Sequence, residues 1–280
     1  DVILTSGCSS ALDLCISVLA NPGDNILIPR PGFSIYRTLA DGEVDLAHLE
    51  ESIDDRTAAI VVNNPSNPCG SVYTREHLRA IAHIAERYKV PIIADEIYAH
   101  FVFPGHEFHW FASVNPNVPV LSCGGLTKRW LVPGWRQGWI VIYDAKGHFA
   151  EVRKGLLALS TRILGPTPSA RAAIPDILEF TPPEFYASTL KCIERTQAKS
   201  YAKLSAVPGL RPVMPRAPFR VLPASRCFEI GMFFRIVLTV PSDMMTEACD
   251  RIAQFCAAHH RPTGSSEVWS LPMTPEGSEV

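Results

Sequence analysis

The 280-residue sequence lacks the motifs that mark several large classes of enzyme. It contains no Gly-x-Gly-x-x-Gly fingerprint, no Gly-x-x-x-x-Gly-Lys-Ser/Thr phosphate loop and no Gly-x-Ser-x-Gly elbow. The sequence therefore gives no indication of a dinucleotide-binding fold, a P-loop nucleotidase or an α/β-hydrolase.

An excess of charge of either sign is also missing. Lys and Arg number 26 and Asp and Glu 28, which gives a net charge of −2. Because no basic excess is available to neutralise phosphates, we expect no nucleic-acid partner. The longest apolar runs, such as Ala58–Val62, are too short to span a bilayer, so we expect no membrane partner. With 47% apolar residues, the chain can bury a sizeable core.

Cysteine and histidine are present without the spacing of a metal site. The eight cysteines form no Cys-x-x-Cys pair, and the histidine pairs at 106/109 and 259/260 have no third ligand nearby. We therefore expect no metal, and free thiols that favour a reducing cytoplasm. The chain starts at Asp1 inside a strand-like segment, from which we expect upstream material to be missing.

The first part of the chain alternates β-rich runs with helical patterns. Strands are predicted at Val2–Thr5, Asn25–Ile28, Ala58–Val62, Val90–Ala94, Val118–Cys123 and Trp139–Tyr143. Helices are predicted at Ser9–Leu19, Phe33–Ala40 and Arg75–Tyr88. This alternation predicts an α/β fold whose mostly parallel sheet is flanked by helices, with reactive residues after the carboxyl ends of strands.

From about residue 151 the pattern becomes α+β. Helices are predicted at Glu151–Leu164, Pro183–Ala206 and Asp243–His259, and a strand at Phe233–Thr239. We predict a large domain over residues 1–165 and a smaller C-terminal domain over residues 166–260. The tail, residues 261–280, is rich in Pro, Gly, Ser and Glu and is predicted to be disordered.

Three loops that follow predicted strands carry polar residues. They are Asn64–Gly70, which has two Asn-Pro steps, Asp95–Tyr98, and the segment Gly124–Arg136, which contains Lys128. Each has an ordinary explanation when taken alone: a tight turn, an aspartate at a helix N-cap and an exposed lysine.

Together and in this order, the strings resemble those of the fold-type I pyridoxal-phosphate aminotransferases of class I/II. The opening segment Leu4–Leu14 and the string Arg30–Ser34 are also similar to that family. The resemblance covers nearly all of residues 1–260, and the lysine loop is its most specific part. Within the family, the strings are most similar to those of members that act on tyrosine.

The resemblance implies pyridoxal 5'-phosphate as cofactor and assigns roles to residues around it. Lys128 would form the Schiff base and move a proton between the substrate Cα and the cofactor. Asp95 would keep the ring nitrogen protonated, and Asn67 and Tyr98 would donate hydrogen bonds to the phenolic oxygen. Phe33 matches the aromatic residue that stacks on the ring.

The resemblance also implies a site for the cofactor phosphate. Gly7, Cys8 and Ser9 form a turn that opens a helix, where backbone N–H groups and the helix dipole attract an anion. Arg136 matches the arginine that binds the phosphate with two hydrogen bonds.

For the substrate, Arg235 in the segment Phe233–Pro241 is the candidate that binds the α-carboxylate, with Asn67 also in the substrate site. The ordinary alternative for Arg235 is a surface arginine on an edge strand. One residue departs from the wider class: Gly125 stands where a serine often occurs, three residues before the lysine.

The function that the resemblance implies is a homodimeric transaminase that moves the amino group of L-tyrosine to 2-oxoglutarate. Two alternatives stay open: an aromatic or broad-specificity aminotransferase, and a shortened, non-catalytic product that binds cofactor or pairs with a complete subunit. Two internal joints favour the latter, because the family has additional chain there. They are the joint between Leu39–Val44 and Asp45, and the joint between Arg216–Arg220 and Val221–Ala224.

Overall fold

The structure is a computed structural model that describes residues 1–29, 44–208, 210, 212, 214–217, 219–223 and 233–259. The predicted helix Phe33–Ala40, with Phe33 itself, lies outside the described residues, as does the tail over residues 261–280.

A six-stranded sheet forms the first part of the molecule. Its strands are β1 (Val2–Ser6), β2 (Asn25–Leu27), β3 (Thr57–Asn63), β4 (Ile92–Asp95), β5 (Val120–Gly125) and β6 (Gln137–Tyr143), in the order β1-β6-β5-β4-β3-β2. Strands β2 to β5 pair in parallel, whereas β6 is antiparallel to both β5 and β1. The mostly parallel sheet is thus confirmed. The reversal of β6 was not predicted, because an alternating strand sequence carries no information on direction.

Helices cover the sheet on both sides. The first three are α1 (Cys8–Leu19), α2 (Leu46–Glu51) and α3 (Arg75–Tyr88). Val61 of β3 belongs to the core cluster that contains α1, while its neighbours Ile60 and Val62 belong to the cluster that contains α3. Successive residues of a strand point to opposite faces, so a strand covered on both faces is apolar throughout.

Helix α3 has the bounds that its sequence predicts. The Thr74 hydroxyl accepts a hydrogen bond from the backbone N–H of His77 at 3.2 Å, which caps the first turn. The helix ends at Tyr88, and the residue that follows it, Lys89, has a left-handed φ of 57°. Its buried face places Leu78 and Ile81 against the sheet.

The remaining helices are α4 (Ala150–Ser160), α5 (Pro168–Ala172), α6 (Ile174–Phe180), α7 (Pro183–Ser205) and α8 (Ser242–His259). Helix α4 ends before the predicted Leu164, and the side chains of Ile163 and Leu164 are exposed. Helices α2, α5 and α6 were not predicted, because fewer than two helical turns give little periodicity to detect. None of the described helices is long and apolar enough to cross a membrane.

A second, two-stranded sheet lies in the C-terminal part. Strands β7 (Phe219–Pro223) and β8 (Phe233–Val237) pair antiparallel. β8 was predicted over a slightly longer range, whereas β7 was not predicted, because its apolar run is only a few residues long.

Candidate active site

The turn between β1 and α1 and the side chain of Arg136 form a cradle for an anion. Gly7 has a φ of 79° and directly precedes α1. The Nη2 of Arg136 donates to the carbonyl oxygen of Ser6 at 3.0 Å, and a Cβ on Gly7 would lie 2.4 Å from this nitrogen. Both a guanidinium group and the N-terminus of a helix attract negative charge, so this place suits a phosphate.

A second glycine brings β6 close to this turn. A Cβ on Gly138 would lie 2.3 Å from the backbone carbon of Gly7 and 2.6 Å from the nitrogen of Cys8. Only a residue without a side chain permits this approach, which holds Arg136 beside the helix N-terminus. The predicted phosphate residues Gly7, Cys8, Ser9 and Arg136 are therefore adjacent in the structure.

Asp95 ends β4 and is only 4% exposed. Its Oδ1 accepts hydrogen bonds from the backbone N–H of Ile97 at 3.2 Å and from the thiol of Cys8 at 3.7 Å. Burial raises the pKa of Asp95 to about 6, against the lowering effect of these two donors and of the Lys128 charge. Asp95 does not cap a helix. It is a buried carboxylate that a cationic ligand would stabilise.

The Asn-Pro loop after β3 is tied to the backbone of Asp95. The N–H of Asn64 donates to the Asp95 carbonyl oxygen at 3.1 Å, and the Nδ2 of Asn63 donates to the same oxygen at 3.3 Å. The Oδ1 of Asn63 in turn accepts from the N–H of Asn67 at 2.7 Å. Asn67 is buried at the carboxyl end of β3, next to the end of β4.

Lys128 follows β5 after a short turn and lies close to Tyr98. Its Nζ is 5.5 Å from the centroid of the Tyr98 ring, which is 4% exposed. Since the Lys128 charge also lowers the pKa of Asp95, the three residues predicted to be catalytic gather at the neighbouring ends of β4 and β5.

The departure at Gly125 has a physical reason. A Cβ at this position would lie 2.5 Å from the backbone oxygen of Gln137, on the paired strand β6. Any side chain here would therefore push β6 away from β5 and move the start of the lysine loop.

Sequence reasoning missed a second carboxylate beside the site. Glu96 is 3% exposed; its Oε1 accepts from the N–H of Phe111 at 2.8 Å, and its Oε2 accepts from the hydroxyl of Ser122. Burial raises the pKa of Glu96 to about 7, although both hydrogen bonds lower it. The adjacent Asp-Glu pair at the end of a buried strand was the available signal, because strand residues alternate between faces.

Sequence reasoning also missed the contacts that join the segment after Lys128 to the start of α7. The guanidinium carbon of Arg129 lies 4.1 Å from the centroid of the Tyr186 ring and 5.1 Å from that of Trp130. The Nε1 of Trp130 donates to the hydroxyl of Thr181 at 3.2 Å. Stacking between an arginine and aromatic rings thus joins the segment after Lys128 to the start of α7.

Arg235 and Phe33 are the two remaining residues predicted to belong to the site. Arg235 lies on β8, where its backbone is opposite Val221 of β7. Phe33 is outside the described residues.

Comparison with known proteins places this geometry in a family. The family model described as aminotransferase class I and II matches residues 1–224. The tyrosine aminotransferase of Mus musculus is 49% identical over 95% of this chain and 69% of its own length. The Homo sapiens protein of the same name is 47% identical over the same shares. The crystal structure of tyrosine aminotransferase from Leishmania infantum superposes with a TM-score of 0.87 at 31% identity, over 92% of this chain and 74% of that one.

The mouse relative has internal segments without a counterpart. The match runs over 315 aligned positions, whereas 95% of this 280-residue chain is about 266 residues. About fifty positions of the relative therefore have no partner within the matched range, and their assignment to the two predicted internal joints stays a prediction.

Proposed function

The chain belongs to the class I and II aminotransferases, and on that basis we propose that it moves the amino group of L-tyrosine to 2-oxoglutarate. The products are 4-hydroxyphenylpyruvate and glutamate, so the reaction opens the breakdown of tyrosine. The observation that carries this substrate assignment is 49% identity to a tyrosine aminotransferase over 95% of the chain. As in its family, the enzyme depends on pyridoxal phosphate.

The described residues fit this cofactor. Its dianionic phosphate needs fixed donors, which the Gly7 turn and Arg136 offer at one place. Its ring nitrogen needs an acceptor, and Asp95 is a buried carboxylate with no salt bridge to any described residue. Its aldehyde needs an amine, and Lys128 follows β5, the strand that pairs with β4 beside Asp95. When bound, the cofactor withdraws electrons from the Cα of the substrate.

In this proposal Lys128 and Asp95 have different tasks. The Lys128 amine would hold the aldehyde of the cofactor, and it would also move the proton at the Cα of the substrate. The Asp95 carboxylate keeps a proton on the ring nitrogen, because ion pairing with a cation favours the charged form of a buried acid. Tyr98 and Asn67 donate hydrogen bonds to the phenolic oxygen.

The remaining assignments concern the phosphate and the substrate. Gly7, Cys8 and Ser9 bind the phosphate through their backbone N–H groups, and Arg136 binds it through its guanidinium group. Arg235 is proposed to bind the α-carboxylate of either substrate, and Asn67 to contribute to the substrate site. Phe33 is assigned to the ring by the family resemblance alone, because it lies outside the described residues.

We also propose a homodimer. Five exposed apolar side chains lie in the stretch of chain from α4 to α6: Leu157, Ile163, Leu164, Leu178 and Phe180, of which Leu164 is 83% exposed. A concentration of this kind in a folded protein favours a protein partner, and the family resemblance indicates a second copy of this chain.

Organisation and location follow from other features. We propose a large cofactor-binding domain over residues 1–165 and a smaller domain over residues 166–260, because the two sheets fall on either side of that division.

A reducing cytoplasm is supported by the thiols of Cys15 and Cys123, whose sulfur atoms are 3.5 Å apart without a bond.

A single-turnover experiment tests the proposal. The protein is incubated with pyridoxal phosphate, and the absorption spectrum is recorded before and after L-tyrosine is added, with Lys128→Ala as the control. We expect a visible band that tyrosine shifts and that the variant lacks. A response to L-aspartate about as fast as that to L-tyrosine would instead support a broad-specificity enzyme.

The missing internal positions favour a second candidate, a non-catalytic product that binds cofactor or pairs with a complete subunit. In that case the cofactor would bind but tyrosine would leave the spectrum unchanged. The chain would then also co-purify with a complete tyrosine aminotransferase when the two are produced together.

A further inference from the structure

The thiol of Cys8 lies against the carboxylate of Asp95. Cys8 is the first residue of α1, and its Sγ is 3.7 Å from the Oδ1 of Asp95. The two residues are 87 positions apart in the chain, and both are buried, at 7% and 4% exposure. The contact therefore depends on the packing of α1 on the sheet.

The thiol is the donor in this hydrogen bond. Burial and the nearby Asp95 charge raise the pKa of Cys8 well above its usual value, so the sulfur keeps its proton at neutral pH. The acceptor is the same Oδ1 that accepts from the backbone N–H of Ile97. One oxygen of the carboxylate is thus held from two directions, while the other accepts no hydrogen bond from any described residue.

Other side chains surround Asp95 without donating to it. Cys123 is its register partner on β5, and the sulfur atom of Cys123 lies 3.5 Å from that of Cys15 on α1. Lys128 acts on Asp95 through its charge, not through a hydrogen bond. Within the part of the chain that the structure describes, Cys8 is therefore the side chain that fixes the orientation of the carboxylate.

We propose that Cys8 is a positioning residue whose thiol holds Oδ1 of Asp95, so that Oδ2 is presented to the protonated ring nitrogen of pyridoxal phosphate. The proposal rests on the proposed function, in which Asp95 binds that nitrogen. In this proposal the Cys8 side chain has a role separate from that of the Cys8 backbone N–H, which is assigned to the phosphate, because the thiol points to the carboxylate.

The test compares two cofactors. Dissociation constants are measured for pyridoxal phosphate and for 1-deazapyridoxal phosphate, in which a C–H group replaces the ring nitrogen. The proteins are the unmodified chain, Cys8→Ala, Cys8→Ser and the control Cys15→Ala, which removes a buried thiol from the same helix. The analogue keeps the phosphate and the aldehyde, so it reports on every contact except the one to the ring nitrogen.

We expect Cys8→Ala to weaken pyridoxal phosphate about 5–10-fold, as the loss of one weak hydrogen bond to a charged group implies, and to leave the analogue unchanged. Cys8→Ser keeps a donor and should restore most of the affinity. Cys15→Ala should change neither constant.

Equal weakening of both cofactors by Cys8→Ala would overturn the proposal, because the residue would then act through the phosphate turn. No weakening of either would also overturn it. If Cys8→Ala does not fold, Cys8→Val, which fills the space without a donor, replaces it. If the unmodified chain binds both cofactors equally, Asp95 does not bind the ring nitrogen, and the proposed function itself fails at that residue.

Discussion

Two adjacent carboxylates at the end of β4 lie on opposite faces of the sheet and differ in the hydrogen bonds that their oxygens accept. On one face, both oxygens of Glu96 accept hydrogen bonds from the protein, from Phe111 and Ser122. On the face of α1, Asp95 accepts both of its side-chain hydrogen bonds on Oδ1. Both oxygens of Glu96 are thus hydrogen-bonded within the protein, whereas Oδ2 of Asp95 accepts no hydrogen bond from any described residue.

The difference shows how a buried acid can be structural or functional. Burial raises the pKa of both residues, to about 6 for Asp95 and about 7 for Glu96. A shifted pKa alone therefore does not separate the two roles. What separates them is the number of acceptor positions that the surrounding protein leaves open.

The largest expected effect is a difference in catalysis between variants of Asp95 and Glu96. Asp95→Asn should lower kcat/KM for L-tyrosine by at least about 10²-fold, because an amide cannot keep the ring nitrogen charged. Glu96→Gln should stay within roughly tenfold of the unmodified chain, because it keeps an acceptor for the Phe111 N–H. Steady-state kinetics with saturating cofactor measure both. Similar losses in the two variants would contradict the division of roles.

The next effect concerns folding stability in the absence of cofactor. Burial raises the pKa of Asp95 above its usual value of 3.8 and that of Glu96 above its usual value of 4.5, so folding disfavours the charged carboxylates. Each group contributes fully to the free energy of unfolding below about pH 4, where its carboxyl is protonated in both states. This contribution is lost as the pH rises to about 6 for Asp95 and to about 7 for Glu96. We expect each loss to be about 3 kcal/mol.

Urea unfolding at pH 4.5 and pH 8 measures this effect. Glu96→Gln should gain stability relative to the unmodified chain at the higher pH and lose that advantage at the lower one. Saturation with pyridoxal phosphate should remove the part due to Asp95 and leave the part due to Glu96. A difference between variant and unmodified chain that does not depend on pH would contradict the assignment.

The smallest effect concerns Ser122, which donates to Glu96. Ser122→Ala should lower the free energy of unfolding by about 1–2 kcal/mol, because the buried carboxylate loses a donor. The affinity for pyridoxal phosphate should stay the same, since Glu96 faces away from the site. Ser113→Ala, which removes an exposed hydroxyl that bonds to the Trp110 carbonyl, is the control. A loss of cofactor affinity in Ser122→Ala would show that the two faces are coupled.

The site residues were predicted because several strings occur in the order typical of one family, although each string has an ordinary explanation when taken alone. Lys128, Asp95 and Tyr98 stand in short strings after strands, and the bounds of α3 follow from a capping threonine and regular apolar spacing. The hydrogen bonds of Glu96 were not predictable, because its partners lie 15 and 26 positions away. The same holds for the contact between Cys8 and Asp95, which only the packing of α1 creates.

The cradle for the phosphate joins residues from distant parts of the chain. Arg136 bonds to the carbonyl of Ser6 across 130 positions, and the two are brought together by the pairing of β1 with β6. We expect contacts with such large separation to form late in folding, because the chain entropy lost in closing the loop must be offset first. We therefore expect pyridoxal phosphate to meet a complete binding site only after β1 has paired with β6. We expect the cofactor to stabilise the folded protein without guiding the first steps of its folding.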